Sequence, residues 1–174
     1  VFALPPEATP MMMAGGADSL LHLRGGVEDD PALALADLDR AGLVAGDALL
    51  CLSASGRTPY ALAIARAAKA RQVAVIGLAN VAGSPLLEIA DIPVLIETGA
   101  EVVSGSTRMG AATAQKVALN MLSVLIGLRL VQGAAGAAGD GGGGAAGNAG
   151  GGTTGGEGGA GIATGVTAGT GGPG

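Results

Sequence analysis

Between Asp47 and Glu97 the chain alternates short apolar segments with amphipathic segments of helical period. The apolar segments are DALLCLSA from Asp47, VAVIGLAN from Val73 and IPVLIE from Ile92, and each has the length of a strand. A continuously apolar strand is typical of a parallel sheet that is covered on both faces. The sequence therefore predicts an α/β fold of three layers, a parallel sheet between helices, as in flavodoxin-like and Rossmann-like proteins.

Further elements are predicted on both sides of this core. PMMMA, residues 10–14, has the composition of a short buried strand, and ADSLLHLRGG, residues 17–26, that of a short helix ended by glycine. Asp30 and Pro31 are suited to the N-cap and first position of the next helix. PYALAIARAAKARQ, residues 59–72, predicts a helix, and Ser84 is the candidate N-cap of another.

The last helix is predicted to run from about Thr107 to Leu130. Five of its apolar residues recur at helical spacing and form one stripe: Val117, Met121, Val124, Leu125 and Leu128. Most stripes of this kind face the core of their own domain. Leu119, Leu122 and Ile126 add apolar surface, which leaves a second face available for another subunit.

Glycine divides the chain into two regions. Of the 34 glycines, 21 lie in the 42 residues from Gly133 to Gly174, whereas all nine Lys and Arg precede Gly133. The glycine-rich region cannot bury enough apolar surface to offset the loss of backbone freedom, and it lacks a collagen period. We expect residues 1–132 to form the folded domain and residues 133–174 to be a disordered low-complexity tail.

Composition and charge exclude several classes of partner. The folded region has nine basic and twelve acidic residues and no basic run, so nucleic acid is not an expected partner. The most apolar stretch has 15 residues and includes Asn120 and Arg129, which argues against a membrane span. The start of the chain lacks the features of a signal peptide, and the single cysteine, Cys51, excludes an internal disulfide. We expect a cytoplasmic protein.

The segment SASGRT, which we call the first polar turn (residues 53–58), connects a predicted strand to a predicted helix. A helix N-terminus has unpaired N–H groups and a partial positive charge, so this position favours a phosphate. Ser53, Ser55 and Thr58 add hydroxyl groups, and Gly56 allows close approach of the backbone. Arg57 either supplies charge or holds the loop in place. The alternative is an ordinary capped turn without a ligand.

A second polar turn, residues 101–109, precedes the last helix and has a similar composition. Its hydroxyl residues are Ser104, Ser106 and Thr107, of which Ser106 or Thr107 is the candidate N-cap. The role of Arg108 stays open. Two polar helix entries at the carboxyl edge of one parallel sheet indicate a ligand-binding edge.

Other kinds of site have little support. His22 has no second histidine and no cysteine cluster near it in the sequence, so no metal is expected. No nucleophile-and-base triad can be assembled, and no G-x-G-x-x-G follows a strand. Glu28, in VEDD, is by composition alone a solvated carboxylate.

Three segments together resemble the N-acetylmuramic acid 6-phosphate etherases of the sugar isomerase (SIS) domain superfamily. They are AGGADSLLHLRGGVEDD, SASGRTPY and GAEVVSGSTRMGAATAQKVALNML, and the resemblance extends from about Val1 to Leu130. It implies a SIS domain, a homodimer with sites near the subunit boundary, and no metal or organic cofactor. It also implies a lyase that removes D-lactate from the sugar 6-phosphate during peptidoglycan recycling.

The resemblance also implies roles for individual residues. A catalytic glutamate of the family falls on Glu28, which reverses the interpretation of that residue as an idle carboxylate. In this chemistry the open-chain aldehyde makes the C2 proton acidic, a carboxyl group transfers that proton, and lactate leaves before water adds to the alkene. The residues implied to bind the sugar phosphate lie in the two polar turns: Ser53, Ser55, Gly56, Arg57, Thr58, Ser104, Ser106 and Thr107.

The chain also departs from the family. An earlier Gly-Thr-Ser-Gly-Arg loop, a second catalytic glutamate and a helical C-terminal region have no counterpart in this sequence, and Gly25 and Gly110 stand where the family often has glutamate and lysine. We therefore expect an incomplete, N-terminally truncated SIS domain with half a site and no activity in isolation. A non-catalytic sugar-phosphate sensor, like the glucokinase regulatory proteins, and a SIS sugar-phosphate isomerase are the alternatives.

Overall fold

The computed structural model describes residues 8–22, 25–138 and 163–166. In chain order the elements are β1 (Met11–Met12), α1 (Asp18–Leu21), a 3-10 helix (Val27–Asp29), α2 (Pro31–Ala41), β2 (Ala48–Leu52), α3 (Pro59–Ala70), β3 (Ala74–Ala79), α4 (Pro85–Ile89), β4 (Ile92–Leu95), α5 (Gly110–Ala138) and β5 (Ala163–Val166). The sheet order is β1-β5-β2-β3-β4. β2, β3 and β4 are parallel, as predicted, and β5 is antiparallel to both β1 and β2.

Side chains of β2 alternate between two cores, one on each face of the sheet. Leu49 and Cys51 join the larger core with α2 and α3, while Leu50 and Leu52 face α5. All four are buried because helices cover both faces. The three-layer α/β architecture predicted from the alternation is confirmed.

The helix starts follow the sequence signals at α2 but not at α4. Asp30 caps α2, because its Oδ1 accepts hydrogen bonds from the N–H groups of Ala32 at 2.9 Å and Leu33 at 3.2 Å. Ser84 occupies the N-cap position of α4, yet its side chain makes no capping hydrogen bond. The prediction that the Ser84 side chain caps this helix is therefore wrong.

The apolar stripe of α5 lies on the outside of the domain. Its five residues, Val117, Met121, Val124, Leu125 and Leu128, are between 47% and 61% exposed. The face that packs on the sheet instead carries Leu119 and Leu122. The expectation that the stripe faces the core is wrong, because α5 has a second apolar face, with Leu119 and Leu122, and periodicity alone cannot select the inner one.

Two short parts of the glycine-rich tail belong to regular elements. Residues 133–138 continue α5, and Ala163–Val166 form β5 between β1 and β2. The remainder of the predicted disordered tail lies outside the described residues. By length and composition alone, Gly110–Leu130, with 21 residues and a mean hydropathy of 1.4, could cross a membrane, although one face of it packs on the sheet.

Candidate functional site

The two polar turns lie at one edge of the sheet. The first follows the carboxyl end of β2, and the second follows β4, with β3 between these strands. Parallel strands place their carboxyl ends at the same edge, and β2 and β4 are separated by about 10 Å. The fold therefore brings together the two segments that the sequence predicts to bind a ligand.

In the first polar turn, the hydroxyl groups bond to one another and to the loop rather than to α3. Ser53 is 5% exposed, and its Oγ lies 2.9 Å from the Oγ1 of Thr58. The Oγ of Ser55 accepts a hydrogen bond from the N–H of Arg57 at 3.2 Å. Thr58 is the N-cap residue of α3, but its side chain makes no capping hydrogen bond. The first N–H groups of α3 are left without a side-chain cap.

Gly56 is fixed closely against the loop that follows β3. Its φ of 63° lies in the left-handed region that favours glycine, and its carbonyl accepts a hydrogen bond from Leu86 N–H at 3.0 Å. A Cβ at this position would lie 2.5 Å from the Cβ of Ser84 and still closer to its Oγ. The Ser84 hydroxyl is fully buried and has no hydrogen-bond partner among the described residues.

Arg57 does not brace the turn with its side chain. The residue is exposed, and no hydrogen bond or ion pair of its guanidinium occurs within the described part of the chain. Of the two roles left open by the sequence, supplying charge fits this arrangement. An unpaired cation beside an uncapped helix N-terminus adds positive potential for an anion.

α3 is held in place by a buried hydrogen bond. The hydroxyl of Tyr60 donates to Asp37 Oδ2 at 2.6 Å, and Arg40 donates to Asp37 Oδ1 at 2.7 Å. Burial, followed by this bond to the Asp37 carboxylate, raises the pKa of Tyr60. Because Tyr60 lies in the first turn of α3, these contacts fix the start of the helix next to the first polar turn.

The second polar turn is organised differently. Ser104 and Thr107 are exposed, and the Oγ of Ser106 accepts from the N–H of Arg108 at 3.3 Å. Neither Ser106 nor Thr107 supplies a side-chain cap to α5, so that prediction is wrong. Glu101 binds the helix start instead, as described next.

The Glu101 carboxylate receives the first N–H groups of α5. Its Oε2 accepts from Gly110 at 3.0 Å and its Oε1 from Ala111 at 2.9 Å. These backbone hydrogen bonds, that of Ala111 first, hold the pKa of the Glu101 carboxyl below its usual range. A carboxylate from this chain thus occupies the position at α5 that an anionic ligand would take.

Glu28 lies in the 3-10 helix Val27–Asp29, which packs against α3. It is exposed, and Gly26, with a φ of 80°, provides the turn that begins the short helix. His22 is exposed as well. Within residues 8–22, 25–138 and 163–166, no group of three His, Cys, Asp or Glu could hold a metal ion.

Three side chains at this edge were not identified from the sequence. In the sequence, Glu101 is one residue of the second polar turn, Asn80 ends a predicted strand and Gln115 lies in a predicted helix. Gln115 Nε2 donates to Asn80 Oδ1 at 2.8 Å, although the two are 35 positions apart. No local feature of the sequence signals this pair, because Gln115 lies beside Thr113 and Lys116 at the polar start of α5.

Comparison with known proteins finds similar sequences. The SIS domain profile matches residues 3–80. Over 129 residues the chain is 44% identical to the N-acetylmuramic acid 6-phosphate etherase of Deinococcus radiodurans, and the match covers 74% of this chain and 42% of that protein. The proteins of the same name from Rubrobacter xylanophilus and Streptomyces coelicolor are 40% and 44% identical. The chain spans about two fifths of the length of these curated relatives.

Proposed function

We propose that the chain belongs to the N-acetylmuramic acid 6-phosphate etherase family, that it binds this sugar phosphate and that it takes part in the removal of D-lactate from it. The proposal rests chiefly on the uncapped N-terminus of α3. Thr58, which has the right side chain and position for a cap, bonds to Ser53 instead. Within the described residues no side chain caps the first N–H groups of α3, which begin at Tyr60 because Pro59 has none, and no partner binds the Arg57 guanidinium. These groups are therefore available for a phosphate.

The other long helices of the described region support this choice of binding position. α2 begins at the Asp30 carboxylate and α5 begins at the Glu101 carboxylate. Of these three helix starts, only that of α3 lacks a protein anion. Placing the phosphate at the first polar turn leaves Ser104, Ser106 and Thr107 for the sugar or its lactyl group.

In the proposed chemistry, Glu28 transfers the proton at C2 of the open-chain sugar. Loss of this proton allows the C3–O bond to lactate to break, and water then adds to the alkene to give N-acetylglucosamine 6-phosphate. Glu28 is exposed on an element that packs against α3, so it is accessible from solvent near the helix of the first polar turn.

Binding is tested by titrating the ¹⁵N-labelled chain with N-acetylmuramic acid 6-phosphate and following the amide resonances. We expect the largest shifts at Ser55, Arg57 and the first residues of α3. No shift in this region at millimolar ligand would overturn the proposed binding site. Glucose at the same concentration is the control without phosphate.

Turnover is tested in a complete protein that contains this sequence and both carboxylates of the family, by measuring D-lactate released from the same substrate. Replacing Glu28 with Gln is expected to lower the rate by about a hundredfold or more, since the amide cannot transfer the proton. Asp29→Asn, in the same short helix, is the matched control and should leave the rate within about twofold. Equal rates for wild type and Glu28→Gln would remove Glu28 from the mechanism.

A binding role without catalysis is the second candidate. It is favoured because the Glu101 carboxylate is already bonded to the start of α5. Glu28 is then the one carboxylate of the described region to which the proposal assigns proton transfer. Tight binding of the sugar phosphate by the complete protein, with no release of D-lactate, would support this role. Interconversion of sugar phosphates without release of an acid would instead indicate an isomerase.

We further propose that the outer face of α5 (Val117, Met121, Val124, Leu125 and Leu128) joins two copies of the chain. Met121 is 61% exposed and Leu125 58% exposed, which is unfavourable for an apolar face in water. A stable dimer buries about 800 Å² on each partner, and a helix face of several turns supplies a large part of that area. Covering this face also favours a cytoplasmic protein over one that inserts α5 into a membrane.

Sedimentation velocity tests this assembly. Wild type is expected to sediment as a dimer, and Leu125→Glu as a monomer with an unchanged circular dichroism spectrum. Ser123→Glu, a change at an exposed position of α5 outside the apolar stripe, should remain dimeric. A monomeric wild type at about 100 µM would contradict the dimer, because stable homodimers persist far below that concentration.

A further inference from the structure

Asn80 stands between the two polar turns. It follows β3, the strand between β2 and β4. Its backbone N–H donates to the carbonyl of Ala54, inside the first polar turn, at 3.0 Å. Its Nδ2 donates to the carbonyl of Ile96, directly after β4, at 2.8 Å. Asn80 therefore bonds to the chain shortly after β2 and directly after β4, the two strands that flank β3.

The remaining polar atom of the Asn80 side chain bonds to α5. Gln115, which is 7% exposed, donates from Nε2 to Asn80 Oδ1 at 2.8 Å. Gln115 lies five residues after the start of α5, about 7.5 Å along the helix axis. The start of α5 is bonded to Glu101, so the whole second polar turn is connected to Asn80 through the helix.

These hydrogen bonds act on the distance between the two polar turns, which a sugar phosphate would have to span. The polar turns follow strands about 10 Å apart, and a hexose phosphate can bridge such a gap, whereas inorganic phosphate cannot. If the phosphate lies at the first polar turn, the sugar end meets the second only when the two turns keep their spacing. An error of about 1 Å in such positioning is costly for binding and catalysis.

We infer that Asn80 and Gln115 are positioning residues that set the spacing between the first polar turn and the start of α5, so that one sugar phosphate contacts both. Neither residue touches the ligand in this arrangement. Each acts through backbone groups of the turns or through the helix. The inference rests on the proposed function, because it assumes a ligand with a phosphate at one end and a sugar at the other.

The test compares two probes, inorganic phosphate and glucosamine 6-phosphate, in the full 174-residue chain. Asn80→Ala is expected to weaken glucosamine 6-phosphate about tenfold or more, while the Kd for inorganic phosphate stays within about twofold. Gln115→Met, which keeps the side-chain length but removes the donor, should give the same pattern. The double variant should be no weaker than the worse single variant, since residues of one network are not additive.

Asn120→Ala is the control. It removes an exposed amide from α5, and none of the hydrogen bonds between the turns involves it. We expect unchanged affinity for both probes. Melting temperatures of all variants are measured first, and Gln115→Met replaces Asn80→Ala in the comparison if the latter does not fold.

The outcomes separate the inference from the proposed function. If Asn80→Ala and Gln115→Met weaken both probes equally, or neither, the two residues do not set the spacing and the inference is overturned. If wild type binds inorganic phosphate and glucosamine 6-phosphate with the same Kd, the sugar makes no contact and the inference also fails. If wild type binds neither probe, the proposed binding function fails before any variant is considered.

Discussion

The first and second polar turns have similar compositions, but the fold uses them differently. In the first, Ser53 and Thr58 bond to each other, and no carboxylate of the described residues caps the start of α3. In the second, Glu101 binds the start of α5, and the hydroxyl residues stay near the surface. A serine-, glycine- and threonine-rich helix entry is therefore insufficient evidence for an anion site. What decides is whether another part of the chain already supplies the anion.

Glycine-to-alanine substitutions should produce the largest difference in unfolding free energy between the two turns. Gly56→Ala is expected to destabilise the chain by about 3 kcal/mol or more, because the new Cβ meets Ser84 and the φ is positive. Gly105→Ala has a similar φ of 79° but open space around the new Cβ, so it should cost only about 1 kcal/mol. Urea unfolding of both variants measures this, and equal losses would mean that the first turn is not the more tightly packed.

The two arginines provide the next comparison. Arg57→Ala should weaken inorganic phosphate by about tenfold, the loss of one charge-assisted hydrogen bond. Arg108→Ala, on the turn already filled by Glu101, should change the Kd by less than about twofold. Isothermal titration at constant ionic strength measures both. A larger change in Kd for Arg108→Ala than for Arg57→Ala would mean that the phosphate binds at the second polar turn instead of the first.

The stability that Glu101 contributes at the second polar turn depends on pH. Its pKa is lowered in the folded chain, so the stabilisation it provides is present above the ordinary value of 4.5 and is lost as the pH falls through the folded pKa. Glu101→Gln should therefore lower the melting temperature at pH 7 and should match wild type in strongly acidic solution. A difference that persists unchanged at low pH would show that the charge is not responsible.

The smallest effects are expected where the turns are most alike. Ser55 and Ser106 each accept a hydrogen bond from the arginine two residues later, at 3.2 and 3.3 Å. Replacing either with alanine should cost about 0.5 kcal/mol, because both bonds are exposed and local. The same urea experiment measures this pair. Unequal losses would mean that one of these turns depends on its serine for more than the local bond.

Much of the fold was predictable because its signals are local. The apolar segments became β2, β3 and β4, and Asp30 and Pro31 began α2 as expected. Such features depend on residues within one or two turns of each other. The direction in which α5 presents its apolar stripe was not predictable, because that helix has two apolar faces and the sheet selects the one with Leu119 and Leu122.

The candidate site shows the same division. The sequence identified the segments that contain the polar turns, and adjacent parallel strands necessarily brought them to one edge. It did not identify Glu101 as the cap of α5, since Ser106 and Thr107 are nearer in sequence and have suitable side chains. The cap is selected by where the chain returns after β4, which local propensity does not specify.

By itself, the sequence determined that β2, β3, β4 and the helices between them form, and therefore which edge of the sheet carries the polar turns, but it did not indicate β5. Hydrophobic period and turn residues act over a few neighbouring positions, so they can be recognised without coordinates. Only the tertiary structure decided that α3 has a free N-terminus, that Glu101 fills that of α5, and that Asn80 and Gln115 join them. Hydrogen bonds between residues 35 positions apart depend on packing, and no local pattern encodes their partners.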